Sequence, residues 1–377
     1  MRIIEEEQLD FDDVLIMPRR SSLNSRNEVN IFREFKFAKK PAEEGGGCRT
    51  LSGIPVMGSN MGPIATPKMA KLFARAGFFS ALEKHISLED LRHLYFDLLQ
   101  MEQADGVGTG TYCQHVFPCI GIKESTRVLH DLVHTQFSAT EINETPVFGV
   151  NIDVPNGYCP KLIDRVKEIR ELLPDGFISA GVVVTPDMCQ DIINAGADAV
   201  RVGIGSGQQC LTRLKTGVGR PQFSTIVECA DACHQMNAYC ICDGGCSTPG
   251  DICKALCAGA DIVMCGSIFG GADETDAEEK MVNGKKYKQF FGMSSHLAQE
   301  KYFGGMASYR TSEGREKWIP GTGPLENTLN DITGGLRSCG TYIGAREIKN
   351  FSRQAAFYKV RRLVNANFAN CADITEG

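Results

Sequence analysis

The sequence lacks any run of about 18 apolar residues, the length that a membrane-spanning helix needs. Its first residues, MRIIEEEQLDF, are acidic and contain no apolar segment of the kind found in a secretory signal peptide. The net charge is −6 at pH 7, so the basic excess typical of nucleic-acid-binding proteins is also missing. We therefore expect a cytoplasmic protein that binds neither membranes nor nucleic acid.

Although the chain has 16 cysteines, it has no CxxC pair, the most common sign of a zinc site. Many of the cysteines stand inside apolar runs such as AYCIC and DIVMCG. In a small secreted protein this number would indicate disulfides, but scattered thiols in a long chain fit a reducing compartment better. Cys113 with Cys119, or Cys229 with Cys233, could be metal ligands, and buried thiols are the alternative that we favour.

From residue 54 onward, short apolar segments alternate with amphipathic ones. The apolar segments are IPVMGSN, FFSALE, HVFPCIG, VFGVNID, FISAG, AVRVGIG, AYCICDGG and DIVMCGS. Strands that alternate with helices form parallel sheets through βαβ units. The pattern therefore predicts one α/β domain over residues 1–377, a closed (β/α)₈ TIM barrel with its active site at the carboxyl ends of the strands. A doubly wound open sheet is the alternative, and the polar, glycine-rich strand ends favour the barrel.

The pattern changes after the eighth strand. Residues 271–290 are highly charged, and NGKK between KMV and YKQF predicts the turn of an inserted hairpin. The glycine-rich segment YFGGMASYRTSEGRE that follows predicts an active-site flap. We expect a last helix near residues 345–365, and an exposed loop at PAEEGGGCR before the first barrel strand.

The stretch VGIGSGQQCLTRLKTGVGRPQFS, residues 202–224, carries the densest group of reactive and glycine residues. Its glycines let the backbone curl tightly and approach a ligand. Cys210 lies on this loop beside Thr212, with Lys215 and Arg220 close behind, so it is a candidate nucleophile. A surface loop with an incidental cysteine is the alternative, and the spacing alone does not separate the two.

Further polar residues follow the strands. Asp153 ends the fourth strand and Asp243 ends the seventh, where a carboxylate suits a sugar diol, although Asp243 could instead fix a turn. This fold commonly binds phosphate with backbone N–H groups after strands seven and eight, where the sequence has Gly244, Gly245, Gly266 and Ser267. Together these residues imply a phosphorylated ribose. Glu313 in YRTSEG is a candidate general acid or base, or else a solvated surface residue.

A set of longer motifs extends over nearly the whole chain: DFDDVLIMP, DVPNGY, VGIGSGQQCLTRLKTGVGRPQ, CDGGCSTPGD, FGMSS, YRTSEG and NDITGGLRS. With these motifs the sequence resembles the (β/α)₈ family of IMP dehydrogenase and GMP reductase, and it is most similar to the GMP reductase branch. The regulatory domain usual in IMP dehydrogenase after strand two is missing, as is the Arg-Tyr pair of the dehydrogenase flap. Only Arg220 in GRPQ is typical of the dehydrogenase.

The resemblance implies an NADPH-dependent reductive deamination of GMP to IMP and ammonia. Cys210 would attack C2 of the guanine ring to form a thioimidate, and Thr212 and Glu313 would serve the proton transfers to the leaving amine. The resemblance also implies that the purine is contacted by Met293, Ser294, Arg310 and Ser312, and that ribose and phosphate are contacted by Asp243, Gly244, Gly245, Gly266 and Ser267. It implies that the cofactor is contacted by Asp153 and Lys84, and that a monovalent cation such as potassium binds the backbone of Gly205, Gly207 and Cys210. Since this family usually forms tetramers, we expect a homotetramer.

The sequence departs from the family pattern on the side where the cofactor would bind. Gly62 replaces an aspartate, Val182 an asparagine and Gln208 a serine. Ile120 replaces a polar residue, and Glu83 stands where a histidine is usual. We therefore expect weaker NADPH binding than in an ordinary GMP reductase, and stronger NADPH use when Gly62→Asp and Val182→Asn are combined.

These departures leave two other hypotheses open. A diverged family member could carry out the covalent purine step on a modified or deoxy purine nucleotide, or follow it with a different second step. A non-catalytic nucleotide-binding subunit is the third possibility. The presence of Cys210, Thr212 and Glu313 together argues against the third.

Overall fold

The computed structural model of the protein describes residues 3–37, 49–123 and 148–360. Its strands are β1 Val14–Ile16, β2 Arg33–Phe37, β3 Arg49–Gly58, β4 Phe78–Ala81, β5 Val116–Phe117, β6 Cys119–Ile120, β7 Gly149–Asp153, β8 Phe177–Val183, β9 Ala199–Val202, β10 Tyr239–Asp243, β11 Ile262–Cys265, β12 Glu279–Val282, β13 Lys285–Phe291, β14 Glu316–Pro320 and β15 Phe357–Lys359. Its helices are α1 Pro67–Arg75, α2 Leu88–Asp105, α3 Pro160–Leu172, α4 Pro186–Asn194, α5 Thr212–Thr216, α6 Gln222–Gln235, α7 Pro249–Cys257, α8 Ser267–Gly270, α9 His296–Phe303, α10 Leu325–Ile343 and α11 Phe351–Gln354.

The strands from β3 to β11 form one parallel sheet in the order β5-β4-β3-β11-β10-β9-β8-β7-β6. β5 pairs with β4, whereas β6 pairs with β7. These two short strands are the halves of one strand position, interrupted by Pro118, which has no N–H to donate to the ladder. The chain therefore joins the two edges of the sheet through Pro118, and the predicted TIM barrel is confirmed.

Local sequence signals mark the starts of two helices that follow barrel strands. Thr66 caps α1 by accepting a hydrogen bond from the backbone N–H of Met69. Thr248 and Asp251 form a capping box at the start of α7. Both helices also have proline in their first turn, where its missing N–H costs nothing. These early helix starts leave the polar residues at the strand ends in short loops on one side of the barrel.

The predicted hairpin is present as β12 and β13. Asn283 and Gly284 form its turn with φ angles of 50° and 74°, the left-handed conformations that a two-residue hairpin turn needs. β14 pairs antiparallel with β13 and completes a small sheet beside the barrel. Between β13 and β14 lies α9, so this sheet supports the predicted flap from both sides.

The expectation of a last helix near residues 345–365 is wrong for the described part, residues 345–360. That part contains the one-turn helix α11 and the strand β15, which pairs antiparallel with β1. The long helix is α10, which comes earlier and buries Leu329, Ile332 and Leu336 at helical spacing.

Some expectations fall outside the described residues: the helical segment STRVLHDLVHTQF, most of the patch PAEEGGGCR, and residues 361–365. One domain over residues 1–377 stays a prediction for the same reason. Within the described ranges, no helix is both long enough and apolar enough to cross a membrane.

Candidate active site

Cys210, Thr212 and Glu313 form a chain of hydrogen bonds at the carboxyl ends of the barrel strands. The Cys210 thiol donates to Oγ1 of Thr212 at 3.1 Å. The same hydroxyl donates to Oε2 of Glu313 at 2.6 Å. Cys210 is only partly buried, so a ligand can reach its sulfur. The arrangement can move a proton between the thiol and the carboxylate through the hydroxyl.

Backbone hydrogen bonds also hold Cys210, Thr212 and Glu313 close to one another. The N–H of Leu211 donates to the carbonyl of Glu313 at 2.6 Å, and the N–H of Arg315 donates to the carbonyl of Gln209 at 2.8 Å. Cys210 and Gly314 form an antiparallel bridge between these two bonds. The flap therefore pairs with the cysteine loop like a short strand, which fixes where the Glu313 side chain starts.

The end of β10 packs against the cysteine loop. Gly244 has a φ of 83°, and a Cβ there would lie 2.8 Å from Oγ of Ser206 and 2.9 Å from the N of Gly207. The Ser206 hydroxyl donates to the carbonyl of Asp243 at 2.9 Å. Only glycine satisfies both the left-handed backbone and this close approach. The loop thus brings the predicted ribose-side residues next to the predicted nucleophile.

A line of alternating charges runs along the same edge of the barrel. Nζ of Lys84 lies 2.7 Å from Oδ2 of Asp153. Arg201 reaches Oδ1 of Asp153 at 2.7 Å and Oδ2 of Asp243 at 2.6 Å. The Arg201 side chain is only 3% exposed, which makes it the most deeply buried member of the line.

This line fixes the charge of Asp153 and Arg201. Burial by itself would raise the pKa of Asp153, but Arg201 and Lys84 outweigh it and hold that pKa well below its usual value. Burial likewise would lower the pKa of Arg201, but Asp243 and Asp153 raise it above its usual value. Asp153 is therefore a permanent negative charge rather than a proton carrier.

Sequence reasoning missed Arg201. Its position in AVRV, a single charge inside an otherwise apolar buried strand, is the signal that could have found it, because a buried charge requires partners.

Of the residues predicted to contact the purine, Arg310 and Ser312 lie on the flap, and Met293 and Ser294 lie just before α9. The carbonyl of Ser294 accepts from the N–H of Glu313 at 3.3 Å and from Oγ of Ser312 at 3.4 Å. Nη1 of Arg310 donates to Oε1 of Gln299 at 3.0 Å, and Nε2 of Gln299 donates to the carbonyl of Met293 at 3.4 Å. These bonds join both ends of the flap to Glu313.

The other predicted phosphate residues are Gly266, which joins β11 to α8, and Ser267, the first residue of α8. A Cβ on Gly266 would lie 2.9 Å from Oγ of Ser59. Within the described part of the chain, this buried hydroxyl has no hydrogen-bond partner. A polar ligand at this strand end would satisfy it.

Tyr302 explains two residues that differ from the family pattern on the predicted cofactor side, Gly62 and Glu83. Oη of Tyr302 lies 2.6 Å from where a Cβ of residue 62 would stand, so Gly62 makes room for it. The same hydroxyl donates to Oε2 of Glu83 at 2.6 Å. An aspartate at position 62 would collide with Tyr302. The expectation that Gly62→Asp with Val182→Asn improves NADPH use therefore stays a prediction only for a variant that also removes this hydroxyl.

The described thiols on the barrel strands are buried. Burial raises the pKa of Cys119 to about 12 and raises that of Cys265 well above its usual value. In the described ranges, no group of three or more His, Cys, Asp or Glu residues is placed to hold a metal ion. The cysteines left open as possible ligands, 113 with 119 and 229 with 233, are all buried.

Comparison with known proteins agrees with this geometry. The family model described as IMP dehydrogenase / GMP reductase domain matches residues 8–366. The chain is 39% identical to GMP reductase 2 of Homo sapiens over 371 residues, which cover 97% of this chain and 98% of that protein. It is 40% identical to GMP reductase 1 of Homo sapiens and to GMP reductase of Klebsiella pneumoniae, in each case over 98% of this chain and 99% of the relative. The chain therefore belongs to the IMP dehydrogenase / GMP reductase family of oxidoreductases.

Proposed function

We propose that the protein is an NADPH-dependent GMP reductase, which converts GMP to IMP and ammonia. The observation that carries this proposal is the hydrogen-bonded chain of Cys210, Thr212 and Glu313, a thiol backed by a hydroxyl and a carboxylate. The relatives named GMP reductase, which align over nearly their full length, support the same reaction.

In the proposed mechanism, the Cys210 thiol passes its proton toward Glu313 through the Thr212 hydroxyl. The sulfur then forms a bond to C2 of the guanine ring, and the bond from C2 to the exocyclic nitrogen breaks. Glu313, again through Thr212, returns the proton to the departing nitrogen, so that ammonia leaves and a thioimidate remains. NADPH, when bound, supplies the hydride that takes the place of sulfur at C2. The electron pair of the C–S bond returns to Cys210.

The charged line along the barrel edge supports the binding roles in this proposal. Arg201 binds Oδ2 of Asp243, and we assign Oδ1 to a ribose hydroxyl. Lys84 and Asp153 are 24% and 18% exposed, so this ion pair reaches the surface of the site and would contact the cofactor. Val182 offers no hydrogen-bonding side chain, which agrees with weaker cofactor binding.

A potassium ion and a homotetramer are also part of the proposal. The ion would bind the carbonyls of Gly205, Gly207 and Cys210, since carbonyl oxygens can replace the hydration shell of K⁺. Gly205 has a φ of 76°, and the N–H of Cys210 donates to the carbonyl of Gly207 at 2.9 Å, so the loop turns tightly at these residues. Light scattering of the purified protein tests the tetramer.

The decisive experiment incubates the protein with GMP and NADPH and follows both NADPH absorbance and ammonia. Equal amounts of NADPH consumed and ammonia released are the expected result. Ammonia release without NADPH consumption would replace the proposal with a family member that has a different second step. Binding of GMP without either product would favour the non-catalytic subunit.

Thr212→Val tests the proton path. Valine keeps the shape of the side chain but removes the hydroxyl that joins Cys210 to Glu313. We expect kcat to fall by about 10²-fold, the usual contribution of a positioned proton donor, with a smaller change in KM for GMP. Thr212→Ser is the matched control and should keep most of the activity. A Thr212→Val enzyme with unchanged kcat would exclude this path.

A further inference from the structure

Helix α9 is attached at both ends. At its start, Oγ of Ser295 accepts from the N–H of Ala298 at 3.1 Å, and the N–H of Leu297 donates to Oε1 of Glu316 at 2.9 Å. At its other end, the Tyr302 hydroxyl donates to Glu83, two residues after β4. The helix therefore spans the distance between the rim of the barrel and the segment that carries Glu313.

Residues on the rim of the barrel pack closely around the Tyr302 side chain. Its ring stacks on the ring of His85, with 4.8 Å between centroids and 20° between planes. Its hydroxyl fills the space beside Gly62 and meets Glu83. Burial and the Glu83 carboxylate raise the pKa of Tyr302, so the hydroxyl keeps its proton and remains a donor. Three residues from two loops thus converge on this side chain.

The other end of α9 is connected to the site. Gln299, on the helix, binds both Arg310 and the carbonyl of Met293. Glu313 donates its N–H to the carbonyl of Ser294, directly before the residue that caps the helix. A shift of α9 would therefore be passed to Glu313 and would change its distance to Thr212.

We propose that Tyr302 and Glu83 are positioning residues for the reaction. Their hydrogen bond docks α9 on the barrel rim and holds Glu313 against Thr212. Gly62 is part of the same docking site, because any side chain at this position would displace the Tyr302 hydroxyl. The inference rests on the proposed roles of Cys210, Thr212 and Glu313.

The test measures the rate at which iodoacetamide labels Cys210, read by peptide mass spectrometry, because this rate does not depend on turnover. Tyr302→Phe and Glu83→Ala should each slow labelling roughly tenfold, because Glu313 is then held less well to take the thiol proton through Thr212, and a lost hydrogen bond to a carboxylate is worth about that factor. Glu83→Gln keeps an acceptor oxygen and should stay near the wild-type rate. Tyr309→Phe is the matched control on the flap, since this side chain is 84% exposed, and should have no effect.

Gly62→Ala provides a second and more specific test. In the wild type it should slow labelling as Tyr302→Phe does, because the new methyl group meets the hydroxyl. In the Tyr302→Phe background it should add nothing, because the hydroxyl is gone. Additive effects of these two changes, or wild-type labelling in both Tyr302→Phe and Glu83→Ala, would overturn the proposal.

The kcat for GMP, measured on the same variants, separates this inference from the proposed function. Slower labelling of these variants in a protein that does not reduce GMP supports the docking of α9 and rejects the reaction. Normal GMP reduction with wild-type kcat and labelling in Tyr302→Phe rejects the docking role and leaves the reaction intact.

Discussion

Cys210→Ala should lower the turnover of GMP by on the order of 10³-fold or more, because the variant has no nucleophile to displace the amine. Binding of GMP should change by less than about tenfold, since the sulfur contributes little to holding the nucleotide before the covalent step. NADPH absorbance measures the first quantity and calorimetric titration with GMP the second.

Cys159→Ala is the matched control, because Cys159 is also partly buried but lies before α3, away from the cysteine loop. Its turnover should equal that of the wild type. Alkylation should label Cys210 ahead of the strand cysteines 240, 242 and 265, all of which are at most 1% exposed. Turnover that survives in Cys210→Ala would rule out a covalent mechanism.

Arg201→Met should lower the free energy of unfolding by about 3–5 kcal/mol, the cost of leaving buried charges without their partner. Arg201 is the shared partner of Asp153 and Asp243, and its removal leaves two carboxylates facing each other across the barrel. Denaturation by urea, followed by circular dichroism, measures the change.

Two comparisons make this prediction specific. Arg75→Met removes an ion pair with Asp105 that lies at the surface, with the arginine side chain 59% exposed, and should have little effect. Adding Asp153→Asn and Asp243→Asn to Arg201→Met removes the unpaired charges and should recover part of the stability. A loss below about 1 kcal/mol in Arg201→Met would mean that water reaches both carboxylates.

Features that depend on residues close together in the chain could be predicted from the sequence. Each barrel strand is a short apolar run followed by polar or glycine residues, and both properties are visible in the letters. The hairpin turn could be read from Asn283 and Gly284, because few residue pairs adopt two left-handed conformations in succession. The loop of Cys210 was visible for the same reason, since its glycines and its thiol are neighbours in the chain.

Features that depend on contacts between distant segments could not be predicted. Arg201 pairs with Asp153 and Asp243 at sequence separations of 48 and 42 residues. The segment AVRV does not show which strands lie beside it. Tyr302 and Glu83 are 219 residues apart. The sequence shows that Gly62 and Glu83 differ from the family pattern. It does not show that both contact the Tyr302 side chain, which belongs to the flap.

The pairing of the cysteine loop with the flap also has a consequence for how the protein is synthesised. Thr212 and Glu313 are 101 residues apart, and the eleven strands β1–β11 all precede Glu313 in the chain. A ribosome therefore releases every strand of the barrel, together with the thiol, before it adds the carboxylate. During that interval a nascent chain carries the thiol without the carboxylate, so the hydrogen-bonded arrangement of Cys210, Thr212 and Glu313 can form only in the final stage of translation.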